Sequence, residues 1–214
     1  VLKKLMFNLG DFNHNEQTIR IVTFLEKKYH NFEGLNLTFE TLEGLIKHNG
    51  PYSNNKKIPF SILEINKQIS FELSDFPSVE GQVANISDDI AYLTHDFDDG
   101  LREKLFTIDD LREIKILDQI IEKIEKKFFN IHNDILIHQF IRHLISYFIN
   151  DVVSNSLLVI KQVNFKTVDE VRLYKDKVIK LSPKAQKYME EIRKFLFENM
   201  YYNKTILDKL SKAS

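Results

Sequence analysis

Ser78-Val-Glu-Gly-Gln-Val-Ala-Asn-Ile-Ser-Asp-Asp-Ile-Ala-Tyr-Leu-Thr-His-Asp-Phe-Asp-Asp-Gly100 crowds five aspartates and a histidine into its second half. Ser78, after Pro77, is a capping residue, and the segment it opens is predicted to be a helix running to about Asp98 and stopping at Gly100. On that helix Asp88, Tyr92 and Asp96 stand at i, i+4 and i+8 and share one face. Like charges on adjacent turns repel unless a cation lies between them or water covers them. The pattern therefore points to a divalent cation or a polar substrate, with a solvated helix face as the plain alternative.

Other segments carry helical signals. Glu16 to His30 places Ile19, Val22, Phe24 and Leu25 at helical spacing, with Lys27 and Lys28 where cations suit the dipole. After a loop from Asn31 to Leu37, Thr38 caps a helix bearing Leu42, Leu45 and Ile46, which Asn49-Gly50-Pro51 ends. Residues 51–77 lack clean periodicity and read as an extended surface excursion, with a short strand or helix near Ser61 to Leu73. Short helical pieces capped by Thr107 precede dense apolar patterns over Leu117 to Phe129 and Asn133 to Lys161. Thr167-Val-Asp-Glu170 is a capping box for a helix to about Leu181, and Ser182-Pro183 opens one through Tyr202.

The expected fold class is all-α. Six glycines and four prolines in 214 residues are too few for an all-β sandwich or barrel, and 43% hydrophobic content suffices for one substantial core. A formal charge of −1 gives no global attraction to nucleic acid or anionic membrane. The absence of cysteine excludes thiolate metal sites, and no apolar run in the sequence approaches the roughly 20 residues that span a bilayer. A soluble, cytoplasmic protein is expected. Val1-Leu-Lys-Lys-Leu-Met-Phe7 reads as the tail of an amphipathic helix already under way, so a piece of a longer protein is expected.

Motif chemistry narrows the choice further. Asp96-Phe-Asp-Asp-Gly100 is a poor calcium loop, because glycine falls at the fifth position instead of the sixth and Thr107 stands where a bidentate Glu is needed. Phosphate-cradling glycine loops, a nucleophile elbow and a His-Glu-x-x-His helix are all absent. A histidine and carboxylate site for magnesium, manganese, iron or zinc, with ligands drawn from distant helices, remains.

Four ordered blocks then resemble one family. Ile86-Ser-Asp-Asp-Ile-Ala-Tyr-Leu-Thr-His-Asp-Phe-Asp-Asp-Gly100 is similar to the signature of deoxyguanosine triphosphate triphosphohydrolases, members of the HD-domain metal-dependent phosphohydrolases. Phe12-Asn-His-Asn-Glu-Gln-Thr-Ile-Arg-Ile-Val-Thr23, Gly34-Leu-Asn-Leu-Thr-Phe-Glu-Thr-Leu-Glu-Gly-Leu-Ile-Lys-His-Asn-Gly-Pro51 and Lys194-Phe-Leu-Phe-Glu-Asn-Met-Tyr201 resemble it too. The resemblance implies a single, partial HD-domain region over residues 1–214, a helical bundle that is incomplete. It also implies hydrolysis of dGTP or another deoxynucleoside triphosphate to the deoxynucleoside and triphosphate, with a divalent metal at a His, His-Asp, Asp ligand set.

By motif position Asp88 is the last metal ligand of that set. Tyr92 matches a residue that packs on the deoxyribose, and Asp96 one that accepts from its 3′-hydroxyl. Lys47 matches a lysine that meets the phosphates, and His14 and Asn15 look like active-site residues able to donate to phosphate oxygens, His14 as a catalytic residue. His95-Asp96 imitates the His-Asp doublet, yet the family's doublet precedes the Asp-Asp-Ile-Ala-Tyr motif. The true doublet is thus expected upstream of Val1, and this chain alone is expected to be inactive. The full-length protein is expected to form a homo-oligomer. The competing expectation is a non-catalytic helical module that binds nucleotides or single-stranded nucleic acid.

Overall fold

The computed structural model describes residues 13–52 and 58–202. The helix tail expected at Val1 to Phe7 and the helix expected toward Ser214 lie outside them. Among the described residues there are eight α-helices and no strand, so the chain is all-α. They are α1 (His14–Arg20), α2 (Phe39–Lys47), α3 (Phe60–Ile69), α4 (Val79–Arg102), α5 (Lys115–Lys127), α6 (Asn133–Val163), α7 (Val168–Arg172) and α8 (Pro183–Leu196). The chain packs as two compact units, one of residues 1–86 and 160–178, the other of residues 87–159 and 179–214.

The first unit has its core in Ile19, Leu42, Ile46, Ile62, Ile65 and Phe71. Asn13 caps α1, its side chain accepting from the backbone N–H groups of Asn15 and Glu16 at 3.0 and 3.2 Å. The helix predicted to reach His30 stops much earlier: α1 passes into a π turn, Ile21–Leu25, and Glu26 is extended. The reason lies downstream. Gly34, at φ +66°, brings its chain against the Val22 and Thr23 carbonyls, where an added Cβ would sit 2.4 Å from Val22 O. Leu35 N–H then donates to Val22 O at 2.8 Å.

Thr38 caps α2 as its sequence predicts, accepting from Thr41 N–H. Of the short strand or helix expected near Ser61 to Leu73, the structure has a helix, α3, within the stretch read as an extended excursion. Only Ile62 and Ile65 of α3 are buried, too few to print a period on the sequence. Ser61 fixes the start of α3 by donating from its N–H and hydroxyl to Glu16 Oε1, both at 2.9 Å. Helices α2 and α4 meet at glycines, a Cβ on Gly44 falling 3.7 Å from Gly81 Cα. The capping box at Thr167 opens α7, with Glu170 N–H donating to Thr167 Oγ1 at 3.2 Å. That helix ends at Arg172 rather than near Leu181, because Val178 N–H donates to the buried Gln82 side chain at 2.8 Å instead of to a helical carbonyl.

The second unit centres on Phe97, which is fully buried among Phe106, Phe140 and Phe195 at centroid distances of 6.0, 5.7 and 6.3 Å. Gly100 does not stop α4. A Cβ there would lie 2.3 Å from Phe106 Cζ, so the missing side chain makes room for that ring inside a continuing helix. Helix α5 buries Ile116, Leu117, Ile120, Ile121 and Ile124.

By length and composition alone α6 is long and apolar enough to cross a membrane, which the interrupted apolar runs of the sequence hide. Here its stripe of Leu136, Ile137, Phe140, Leu144, Phe148 and Val152 is buried in the protein. Its Asp151 accepts from the Ser182 N–H and hydroxyl, each at 2.7 Å. Ser182 in turn caps α8 with Pro183 at the first turn. Helix α8 ends at Leu196 and widens into a π turn, Phe197–Tyr201, rather than continuing to Tyr202.

Candidate functional site

In the second unit, α4 presents its aspartates in different surroundings. Asp88 is exposed and makes no hydrogen bond or ion pair among the described residues. Asp89 pairs with Arg193 of α8 at 2.6 Å. Asp96 accepts a short hydrogen bond from the Tyr201 hydroxyl through Oδ2, and its Oδ1 has no partner among the described residues. Asp98 pairs with Arg102 at 2.8 Å. The like-charge problem of this helix is thus relieved locally at Asp89, Asp96 and Asp98, leaving Asp88 and Asp99 open among the described residues.

Tyr92 is 66% exposed, and its ring meets no other aromatic ring among the described residues. It lines a cavity of about 360 Å³ together with Asp89, Asp96, Arg193, Phe197 and Tyr201. Tyr92 and Asp96 therefore come together in one concavity, a flat aromatic face beside a carboxylate with a free oxygen. His95 lines a different cavity, with Thr94, Asp98 and His138. Sequence reasoning assigned no role to Arg193 or Tyr201, although Tyr201 ends the fourth resembling block.

Tyr201 is 46% exposed, yet burial of its hydroxyl end and the bond to the Asp96 carboxylate push its ionisation up to about 12 from the ordinary 10.0. Folding therefore gains from this phenol fully below pH 10, and the gain is lost as pH rises through the folded value. Tyr201 should accordingly ionise late among the eight tyrosines, as should Tyr52 and Tyr147, which burial also raises, when absorbance at 295 nm is followed against pH. Asp96→Asn should return Tyr201 toward its ordinary range, and an unchanged titration would contradict the pairing.

In the first unit, His14 is exposed at the start of α1 and faces the His48 ring edge-on at a centroid distance of 6.2 Å. His48 Nδ1 lies 2.8 Å from Leu45 O, and the His48 carbonyl accepts a short bond from Asn85 Nδ2. Asn15 hydrogen-bonds with the Tyr52 hydroxyl, which burial pushes above its ordinary ionisation range. The Asn15 Oδ1 is buried with no partner among the described residues. A carboxamide presents an acceptor and a donor at nearly the same shape, so in either orientation Asn15 keeps one polar end free for something else.

Lys47 is fully buried. Its ammonium donates to Glu43 Oε1 at 3.1 Å, one turn back on α2. Glu43 is itself 1% exposed and is gripped by Arg172, with Nε 3.1 and 3.2 Å from its two oxygens and Nη2 3.0 Å from Oε2. Neither Glu43 nor Arg172 was singled out from the sequence.

Among the described residues no three His, Asp or Glu side chains converge as a metal site. Asp88 offers a single free carboxylate, which does not make a hydrolytic metal centre by itself.

No family model matches the chain. It is 37% identical over 216 residues to a deoxyguanosinetriphosphate triphosphohydrolase-like protein of Bartonella quintana (strain Toulouse), covering 99% of this chain and 54% of that protein. A protein of the same description from Bradyrhizobium sp. (strain ORS 278) is 38% identical over 206 residues, covering 96% of this chain and 53% of the relative. One from Rickettsia felis is 36% identical over 205 residues, again covering 96% and 53%. The chain spans about half the length of the curated relatives it matches. Over nearly its whole length the chain is thus similar to one part of the deoxyguanosinetriphosphate triphosphohydrolase-like proteins, at 36–38% identity.

Proposed function

We propose that the complete protein hydrolyses a deoxynucleoside triphosphate, dGTP or another, to the deoxynucleoside and inorganic triphosphate. The observation that carries this reading is the acidic face of α4, where Asp88, unpaired among the described residues, stands one turn before Tyr92 and two before Asp96, which line one cavity. The products require that the bond between the 5′-oxygen and the α-phosphorus breaks, water supplying the oxygen to phosphorus and a proton to the leaving 5′-oxygen.

The residues divide that task by chemistry. Tyr92 offers an exposed ring for the sugar to pack on, and Asp96 Oδ1 is free to accept from the 3′-hydroxyl while Oδ2 is held by Tyr201. Lys47 carries the compact charge suited to a phosphate oxygen, and Asn15 would meet one as a donor through Nδ2 with its carboxamide turned over, so that Oδ1 accepts from the Tyr52 hydroxyl. His14, exposed beside His48, is the candidate for moving a proton. A divalent cation bound in the complete protein would polarise a phosphoryl oxygen, and Asp88 would contribute one carboxylate to it. Among the described residues, Asp88 is the ligand we assign to it.

The test is direct. The complete protein, with Mg²⁺ or Mn²⁺ and each of the four deoxynucleoside triphosphates, should release deoxynucleoside and tripolyphosphate in equal amounts by ion chromatography. Release of pyrophosphate or orthophosphate instead would overturn the reaction. Binding without turnover would favour a nucleotide-binding module.

A further inference from the structure

Lys47 presents a difficulty for any ligand. Its ammonium is fully enclosed and held by Glu43, while two of its three donors have no partner among the described residues. Withdrawing it toward an anion would leave Glu43 as a buried, uncompensated carboxylate, unless another cation already satisfied that group. Arg172 is placed to do so. Its three contacts reach both oxygens of Glu43, against the single hydrogen bond from Lys47.

Arg172 is itself fixed from several sides. Its Nη1 meets Asp169 at 2.9 Å, its guanidinium lies 5.6 Å over the Phe39 ring, and its carbonyl accepts from Phe76 N–H at 3.0 Å. Asp169 is largely exposed and solvated, whereas Glu43 is not. The fork is therefore committed to Glu43 whether or not Lys47 stays there.

We propose that Arg172 is a positioning residue which keeps Glu43 satisfied, so that Lys47 can leave its pair and meet an anionic phosphate group. The inference rests on the reading of Lys47 as a phosphate contact and adds the device that frees it. Without Arg172, Lys47 becomes the sole counterion of a buried carboxylate and is locked in place. Removing the carboxylate as well should unlock it.

Binding of inorganic tripolyphosphate to the complete protein, followed by titration calorimetry, tests this together with initial-rate kinetics. Arg172→Gln should weaken tripolyphosphate binding and raise KM by about tenfold, the scale of one charge-assisted hydrogen bond, with kcat little changed. The double variant Glu43→Gln with Arg172→Gln should recover most of that loss, since a neutral amide holds Lys47 less firmly. Unchanged affinity in Arg172→Gln alongside a lower melting temperature, or a folded double variant with no recovery, would reduce Arg172 to a structural role and overturn the proposal.

Lys47→Gln, measured in parallel, separates the two levels. If it leaves tripolyphosphate binding intact, the phosphate role of Lys47 fails. If it weakens binding while Arg172→Gln does not, only the positioning device fails. Should Arg172→Gln not fold, Arg172→Lys decides, because it keeps the charge and gives up the fork: weaker tripolyphosphate binding supports the device, and unchanged binding overturns it.

Discussion

Replacing Glu43 with alanine is expected to cost about 3–5 kcal/mol of stability, the range seen when one partner of a buried ion pair is removed. Glu43 is 1% exposed and accepts from both Lys47 and Arg172. Its loss leaves Lys47, which has no exposed surface, as a cation without a counterion. Arg172 is better protected, because its fork keeps Asp169 and part of its surface reaches water. The penalty thus falls mainly on Lys47, so adding Lys47→Met to Glu43→Ala should restore a substantial part of the loss by replacing the stranded charge with an apolar chain of similar length. Urea unfolding checks both variants. A cost below about 1 kcal/mol, the level of an exposed pair, would mean that the triad is far more solvated than its geometry indicates.

Asp88→Ala is expected to behave in the opposite way. Asp88 is exposed and has no ion pair among the described residues, so its removal should change stability by no more than about 0.5 kcal/mol. Under the proposed function the same change removes the carboxylate destined for the cation, and triphosphate release by the complete protein should fall by about a hundredfold or more, beyond the effect of losing an outer-shell partner. Asp99→Ala, another exposed position on α4, is the control and should retain activity. Substantial activity in Asp88→Ala would sink the assignment. Loss of activity with loss of structure would show that Asp88 has packing partners the geometry does not reveal.

The sequence was most legible where the physics is local. Thr38, Thr167 and Ser182 each cap a helix by accepting from an N–H three residues ahead, a contact that spacing alone announces. The face shared by Asp88, Tyr92 and Asp96 is likewise a property of one helix. The end of α1 was illegible because the return of Gly34 decides it, and α3 was obscure because two buried isoleucines make no visible period. Gly100 misled for a related reason, being small to admit Phe106 rather than to end a helix.

The candidate site shows the same division. Motif resemblance singles out Lys47 and Asp96, but not the partners that hold them. Arg172 is 129 residues from Glu43, and Tyr201 is 105 residues from Asp96, separations at which no periodic pattern links one residue to another. Only folding brings them together. Tyr201 had a faint signal as the last residue of the Lys194 to Tyr201 block, and Arg172 had none beyond its place after the Thr167 capping box.

The wide turn at Phe197–Tyr201 sets the angular phase at which Tyr201 and Tyr202 leave α8. An α-helix advances about 100° per residue, so straightening this turn by a one-residue deletion would rotate Tyr201 away from the Asp96 carboxylate without altering any residue in the cavity. Insertions and deletions here are therefore felt as a rotation, and a length-conserving substitution is the milder change even when it is chemically larger.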